Sequence, residues 1–94
     1  MSQIHSKTKT SYYRRLYVAH LIDNGINTVP SIIDATGMPR RTAQDTITAL
    51  SELDIQCVSH ETEKNGKYVI SDWGAIKKEW IKSNLQHVKD VLNY

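Results

Sequence analysis

Arg41, Gln44, Asp45 and Thr48 recur three and four residues apart, with Arg40 beside them. On an α-helix that spacing lines them along one face. Their shared chemistry is hydrogen bonding to the edges of planar groups: a guanidinium pairs bidentately with guanine, a primary amide with adenine, a carboxylate accepts from cytosine, and a hydroxyl does either. Asp45 has a second use, holding a neighbouring arginine, and of the two this is the expected one. Ala43, Ile47 and Leu50, joined by Leu53, alternate with these residues at the same period and form the opposite, apolar face. One face packs and the other is left to recognise something.

The flanking segments must position that helix. Ile32, Ile33 and Ala35 give a short preceding helix its apolar face, Thr28 is placed to cap its start and Gly37 its end, and Met38-Pro39 opens the next helix, with proline suited to a first helical position. Upstream, residues 1–10 read as a flexible polar arm carrying Lys7 and Lys9. The domain proper, 11–94, begins with a helix from about Ser11 to Asn24. Tyr12, Leu16, Ala19 and Ile22 make its stripe, Tyr13, Tyr17 and Leu21 widen it, and Asn24-Gly25 stops it. Arg14 and Arg15 lie near its start, either close to a phosphate backbone or as plain surface charges.

After Leu53 the helical period ends. Ile55 to Ser59 and Tyr68 to Ser71 are rich in β-formers, and Lys64-Asn65-Gly66-Lys67 places Asn-Gly at a hairpin tip. A two-residue type I′ turn sets Lys64 opposite Lys67, so Lys64, Asn65 and Lys67 form a basic tip, opposed by Glu61 and Glu63 lower down. Asp72 is placed to cap a final helix from about Trp73 to the end, despite Gly74. Trp73, Ile76 and Trp80 form one stripe on it. Ile81, Leu85, Val88 and Leu92 form another at the 4-3-4 spacing of a coiled-coil seam, read as a homodimerisation surface with packing on the chain's own first helix as the alternative.

Composition bounds the class. The 94 residues are 39% hydrophobic, without Phe, which suits one small domain with a thin core. No apolar run is long enough to span a membrane and the polar start lacks a signal-peptide core, so a cytoplasmic location is expected. The single Cys57 excludes an internal disulfide. Residues 1–41 hold six Lys and Arg against two Asp, while the remainder holds six against eight acids, which puts the basic charge where the recognition helix begins. The chain has no glycine-rich phosphate loop, serine nucleophile motif or paired carboxylates, so it reads as a non-enzyme without cofactor. Metal is not expected either. Cys57 and His60 fall on opposite faces of a strand, and His20 and His87, which could meet if the first and last helices pack together, have no carboxylate companion. A small effector pocket lined by Tyr12, Tyr13, Tyr17, Trp73 or Trp80 is a further possibility, though such aromatics are usually core.

The order helix, helix, turn, helix, hairpin, helix resembles the winged helix-turn-helix domain of bacterial transcription regulators, most closely in TGMPRRTAQDTITALSELDI, residues 36–55. The run Gly-Met-Pro-Arg-Arg-Thr is similar to that of a small bacterial family of stand-alone winged helices. The resemblance implies an α+β, mainly α fold of three helices, a β-hairpin wing and a long C-terminal helix. It implies that Arg40, Arg41, Gln44, Asp45 and Thr48 face the major groove, with Thr42 toward phosphate, and that a homodimer binds double-stranded DNA sequence-specifically as a transcriptional regulator. Two positions depart from the pattern. Pro39 replaces the usual Ser or Thr, removing a side-chain cap, and Asp54 stands where glycine is usual, although Asp tolerates the left-handed conformation. The reading from a different class is a winged helix serving as a protein-interaction module without DNA binding.

Overall fold

Ser6 starts the first helix, its hydroxyl accepting from the Lys9 N–H at 3.0 Å. Helix α1 therefore spans Lys7–Asp23, four residues earlier than its apolar stripe indicates. Lys7 and Lys9 accordingly sit on its first turns rather than in an arm, because a serine cap organises a polar turn that hydrophobic periodicity cannot see. The structure, a computed structural model, describes residues 5–60 and 67–94. It continues through α2 (Val29–Thr36), α3 (Arg40–Ala49), a 3₁₀ turn (Leu50–Leu53), strands β1 (Gln56–His60) and β2 (Lys67–Asp72), and helices α4 (Lys78–Ser83) and α5 (Leu85–Leu92). This is the expected mainly helical α+β order with a two-stranded antiparallel hairpin.

Helix α1 is the element on which the others pack. Leu16, Tyr17, Val18, Ala19, Leu21 and Ile22 are all buried, so its second half is covered on more than one side. Val18, Ala19 and Ile22 join Ile32, Met38, Ala43, Ile47, Leu50 and Ile55 in the main core. Tyr17 and Leu21 face the other way and form a second cluster with Val88 and Leu92 of α5. Helix α2 is held by a reciprocal cap: Thr28 Oγ1 accepts from the Ser31 N–H at 3.1 Å, and Ser31 Oγ accepts from the Thr28 N–H at 3.0 Å. Gly37 closes it at φ 76°, as its position implies. Ala35 is exposed rather than part of the apolar face, which Val29 and Ile32 supply.

The hairpin register differs from a two-residue Asn-Gly turn. Lys67 pairs with His60, not Lys64, followed by Ser59 with Tyr68, Val58 with Val69 and Cys57 with Ile70. The core sets this register, because Cys57, Tyr68 and Ile70 all pack against it on one side of the ribbon while Val58 and Val69 face out. The register shifts between Gln56 and Cys57, leaving Ser71 as the extra residue of a bulge, its hydroxyl donating to the Gln56 carbonyl at 3.3 Å. Asn27, in the α1–α2 connection, anchors β2 twice: its carbonyl accepts from the Tyr68 N–H at 2.8 Å, and its amide donates to the Tyr68 carbonyl at 3.1 Å.

The long C-terminal helix from Trp73 does not form. Asp72 caps a turn instead, its carboxylate accepting from the Gly74 N–H at 2.7 Å, and Gly74 takes φ 60°, outside any right-handed helix. A Cβ there would stand 2.7 Å from the Asp54 carbonyl oxygen, so this is a close backbone approach that only glycine permits. Helix begins at Lys78 and breaks at Asn84 (φ −115°), whose amide folds back onto the Trp80 carbonyl at 2.8 Å.

Candidate nucleic-acid interface

Helix α3 divides as its sequence divides. Ala43 and Leu50 have no exposed surface, and Thr46 and Ile47 are buried beside them. Arg40, Arg41, Gln44, Asp45 and Thr48 are exposed, and Thr42 is half-buried at the edge. Arg41 Nε lies 3.9 Å from the Asp45 carboxylate, with both side chains largely in solvent. Asp45 thus attends its neighbouring arginine, through a contact weak enough for water to screen. Thr48 donates its hydroxyl to the Gln44 carbonyl at 3.0 Å. That leaves only lone pairs for an outside partner, which suits acceptance from an exocyclic base amine. Pro39 is the N-cap rather than the first helical residue and makes no side-chain capping bond.

Beside this face is a groove that the charge pattern only hinted at. Arg14 and Arg15 of α1 line it with Ser11, across from Thr42, Asp45, Thr46 and Ala49 of α3. The packing of α1 on α3 therefore sets Arg14 and Arg15 beside the α3 face that carries Arg40 and Arg41. Lys67, the described member of the expected wing tip, is exposed at the start of β2. Lys64 and Asn65 lie outside the described residues, as do Glu61 and Glu63.

Two helices crossing through the Gly37-Met38-Pro39 turn, followed by an antiparallel ribbon pinned to the helices by Asn27, make the arrangement recognisable, and the profile of the family described as "Winged helix-turn helix" matches residues 7–92. The chain belongs to the winged helix-turn-helix family. Domains of this kind generally bind double-stranded DNA. A crystal structure of a DUF2131 family protein from Shewanella amazonensis SB2B is similar at a TM-score of 0.88 and 34% identity, over 95% of each chain. No curated protein matches the chain.

The remaining residues singled out by sequence separate into distinct places in the winged helix-turn-helix domain. Ile81 and Val88 are fully buried, Leu92 is 9% exposed, and Leu85 packs against the second cluster. The seam expected to join two copies is thus covered within its own chain, Leu85, Val88 and Leu92 against Tyr17 and Leu21 of α1. Its 4-3-4 spacing specified an apolar stripe without specifying what covers it. Of the aromatics expected around an effector pocket, Tyr12, Tyr13 and Trp80 line one cleft, whereas Tyr17 belongs to the α1–α5 cluster and Trp73 to the main core.

His20 and His87 do not meet. His20 stacks on Tyr17 (6.5 Å) beside Asn24, while His87 packs edge-on against Tyr13 (5.7 Å). Among the described residues no three His, Cys, Asp or Glu gather as a metal site. Burial holds the His20 imidazole below its ordinary range; Asp23 opposes that shift and Lys82 adds to it. Burial pushes the Cys57 thiol up, the opposite of what a nucleophile or metal ligand needs. Among the described residues no helix is long and apolar enough to cross a membrane.

Proposed function

We propose that the domain binds double-stranded DNA sequence-specifically and regulates transcription in the bacterial cytoplasm. The observation that carries this reading is the two-sided α3: a fully packed inner face, and an outer face of arginine, amide and hydroxyl groups flanked by the Arg14–Arg15 groove. Arg41 or Arg40 pairs with guanine and Gln44 with adenine in the major groove, while Arg14 and Arg15 neutralise phosphates beside them and the Thr42 hydroxyl donates to one. Lys67, exposed at the start of β2, contacts the neighbouring backbone from the wing, with Lys64 and Asn65 as the other candidate residues of that contact. A homodimer acting on a two-fold site has to associate through a surface other than the buried α4–α5 seam.

The test is selection from random duplex DNA at two salt concentrations, with sequencing of what is retained. Enrichment of one motif of about four to six base pairs supports base reading by α3, and a two-fold repeat of it about one helical turn apart adds the dimer. Retention without enrichment, falling steeply with salt, reduces the function to backbone contact. The exposed cross-strand pair Val58 and Val69, 46% and 42% exposed, favours the second reading, a protein-interaction module. Complete absence of retention at low salt would select that reading.

A further inference from the structure

We propose that the cleft between α1 and α4 binds a small planar aromatic carboxylate. The cleft holds about 370 Å³ and is walled by Tyr12, Tyr13 and Leu16 of α1, Ile76 and Lys77 of the connection, and Trp80 of α4. That volume lies within the roughly 300–1,000 Å³ typical of small-molecule sites, and its largely apolar walls agree with them. Tyr12 and Trp80 are 38% and 43% exposed, so flat aromatic surface that could have joined a core is presented to solvent on the two sides of one cleft.

The walls are already in place. The Tyr13 ring meets Trp80 edge-on at 6.3 Å and His87 at 5.7 Å, its hydroxyl contacts His87 Nε2 at 3.5 Å, and the Lys9 ammonium sits 5.5 Å from its centroid. A flat ring entering the cleft meets aromatic surface without having to order it first, which lowers the cost of binding.

Charge selects the rest of the ligand. Lys77 lines the cleft, Lys9 stands over the Tyr13 ring, and among the described residues no Asp or Glu is in the lining. Among the described residues the Tyr12 hydroxyl, the Trp80 indole N–H and the Lys77 ammonium have no hydrogen-bond partner. An anionic acceptor attached to a ring matches three donors around an apolar slot, whereas a cation would be repelled by the lysines and a sugar phosphate would leave the aromatic walls uncovered. The site needs no DNA, so its test is separate from that of the proposed function.

Amide NMR spectra of the full chain titrated with naphthoate, and with naphthamide as the uncharged control, decide it. The expected result is shifts concentrated on residues 12–16 and 75–80. Lys77→Gln weakens naphthoate about fivefold and leaves naphthamide unchanged, the size expected for one partly exposed ion pair. Trp80→Ala removes both; as both positions are exposed, both variants retain the fold. Three results overturn the proposal: no shift in the cleft at the solubility limit of the probe, equal binding of acid and amide, or shifts of the same amides on raising protein concentration alone, which would make the occupant a second copy of the chain.

Discussion

Arg41 is 93% exposed, and the Asp45 carboxylate 3.9 Å from it belongs to a side chain 74% exposed. Such a pair holds the guanidinium loosely, leaving it able to exchange the carboxylate for a base edge. Arg41→Ala should therefore cost about 1–3 kcal/mol on the preferred DNA sequence and much less on unrelated duplex, measured by competition binding; equal losses on both would make it a phosphate contact. Asp45→Asn acts in the opposite direction. It frees Arg41 and removes an anion from the approach to phosphate, so binding to unrelated duplex should tighten and its salt dependence should steepen. His20 carries the pH response. Because partial burial, more than any charge, holds its pKa below the unfolded value of about 6.5, the folded and unfolded chains are both neutral there at pH 8 and no stability is at stake. As pH falls below about 6.5 the unfolded chain takes up its proton first, and stability drops until the folded imidazole follows. His20→Gln should flatten the fall of Tm between about pH 7 and pH 5.

At the scale of elements, the features legible in sequence are those whose cause is local. Thr28 caps α2 with its own hydroxyl, and Gly37 ends it because the next φ is positive. Thr28→Ala should cost about 1 kcal/mol by denaturant titration, since one orphan N–H loses its partner while nothing in the core moves. Asp54, expected to tolerate the left-handed conformation in a glycine position, adopts φ 60°. The elements that sequence misplaced have tertiary causes. The Asn-Gly signal at 65–66 is a local preference, yet the register is fixed by Cys57, Tyr68 and Ile70 meeting a core assembled from three other helices. Likewise Trp73, Ile76 and Trp80 have helical spacing but no continuous helix, because the chain at Gly74 passes so close to the Asp54 carbonyl. Gly74→Ala joins a left-handed φ to that 2.7 Å approach and should cost about 2 kcal/mol. An isolated exposed turn would show a smaller loss.

For the whole molecule, the polar stripe of α3 was legible because base-reading residues and core residues occupy opposite faces of one helix. The groove beside it was not, since it depends on the angle at which α1 crosses α3. The same crossing explains why the second half of α1 is buried on two flanks: one closes the helix-turn-helix core and the other receives α5. That second packing decides where the apolar C-terminal residues go. In a dimer seam, Ile81, Val88 and Leu92 would be exposed in one copy and covered by the next, and stability would rise with protein concentration. Here Ile81 is fully buried by its own chain. Ile81→Val removes one methylene from that contact and should lower the unfolding free energy by about 1 kcal/mol. The loss should be the same at micromolar and at hundredfold higher protein concentration, with no change in sedimentation mass. A midpoint that moved with concentration in the parent chain, and ceased to move in the variant, would instead place this residue between two copies.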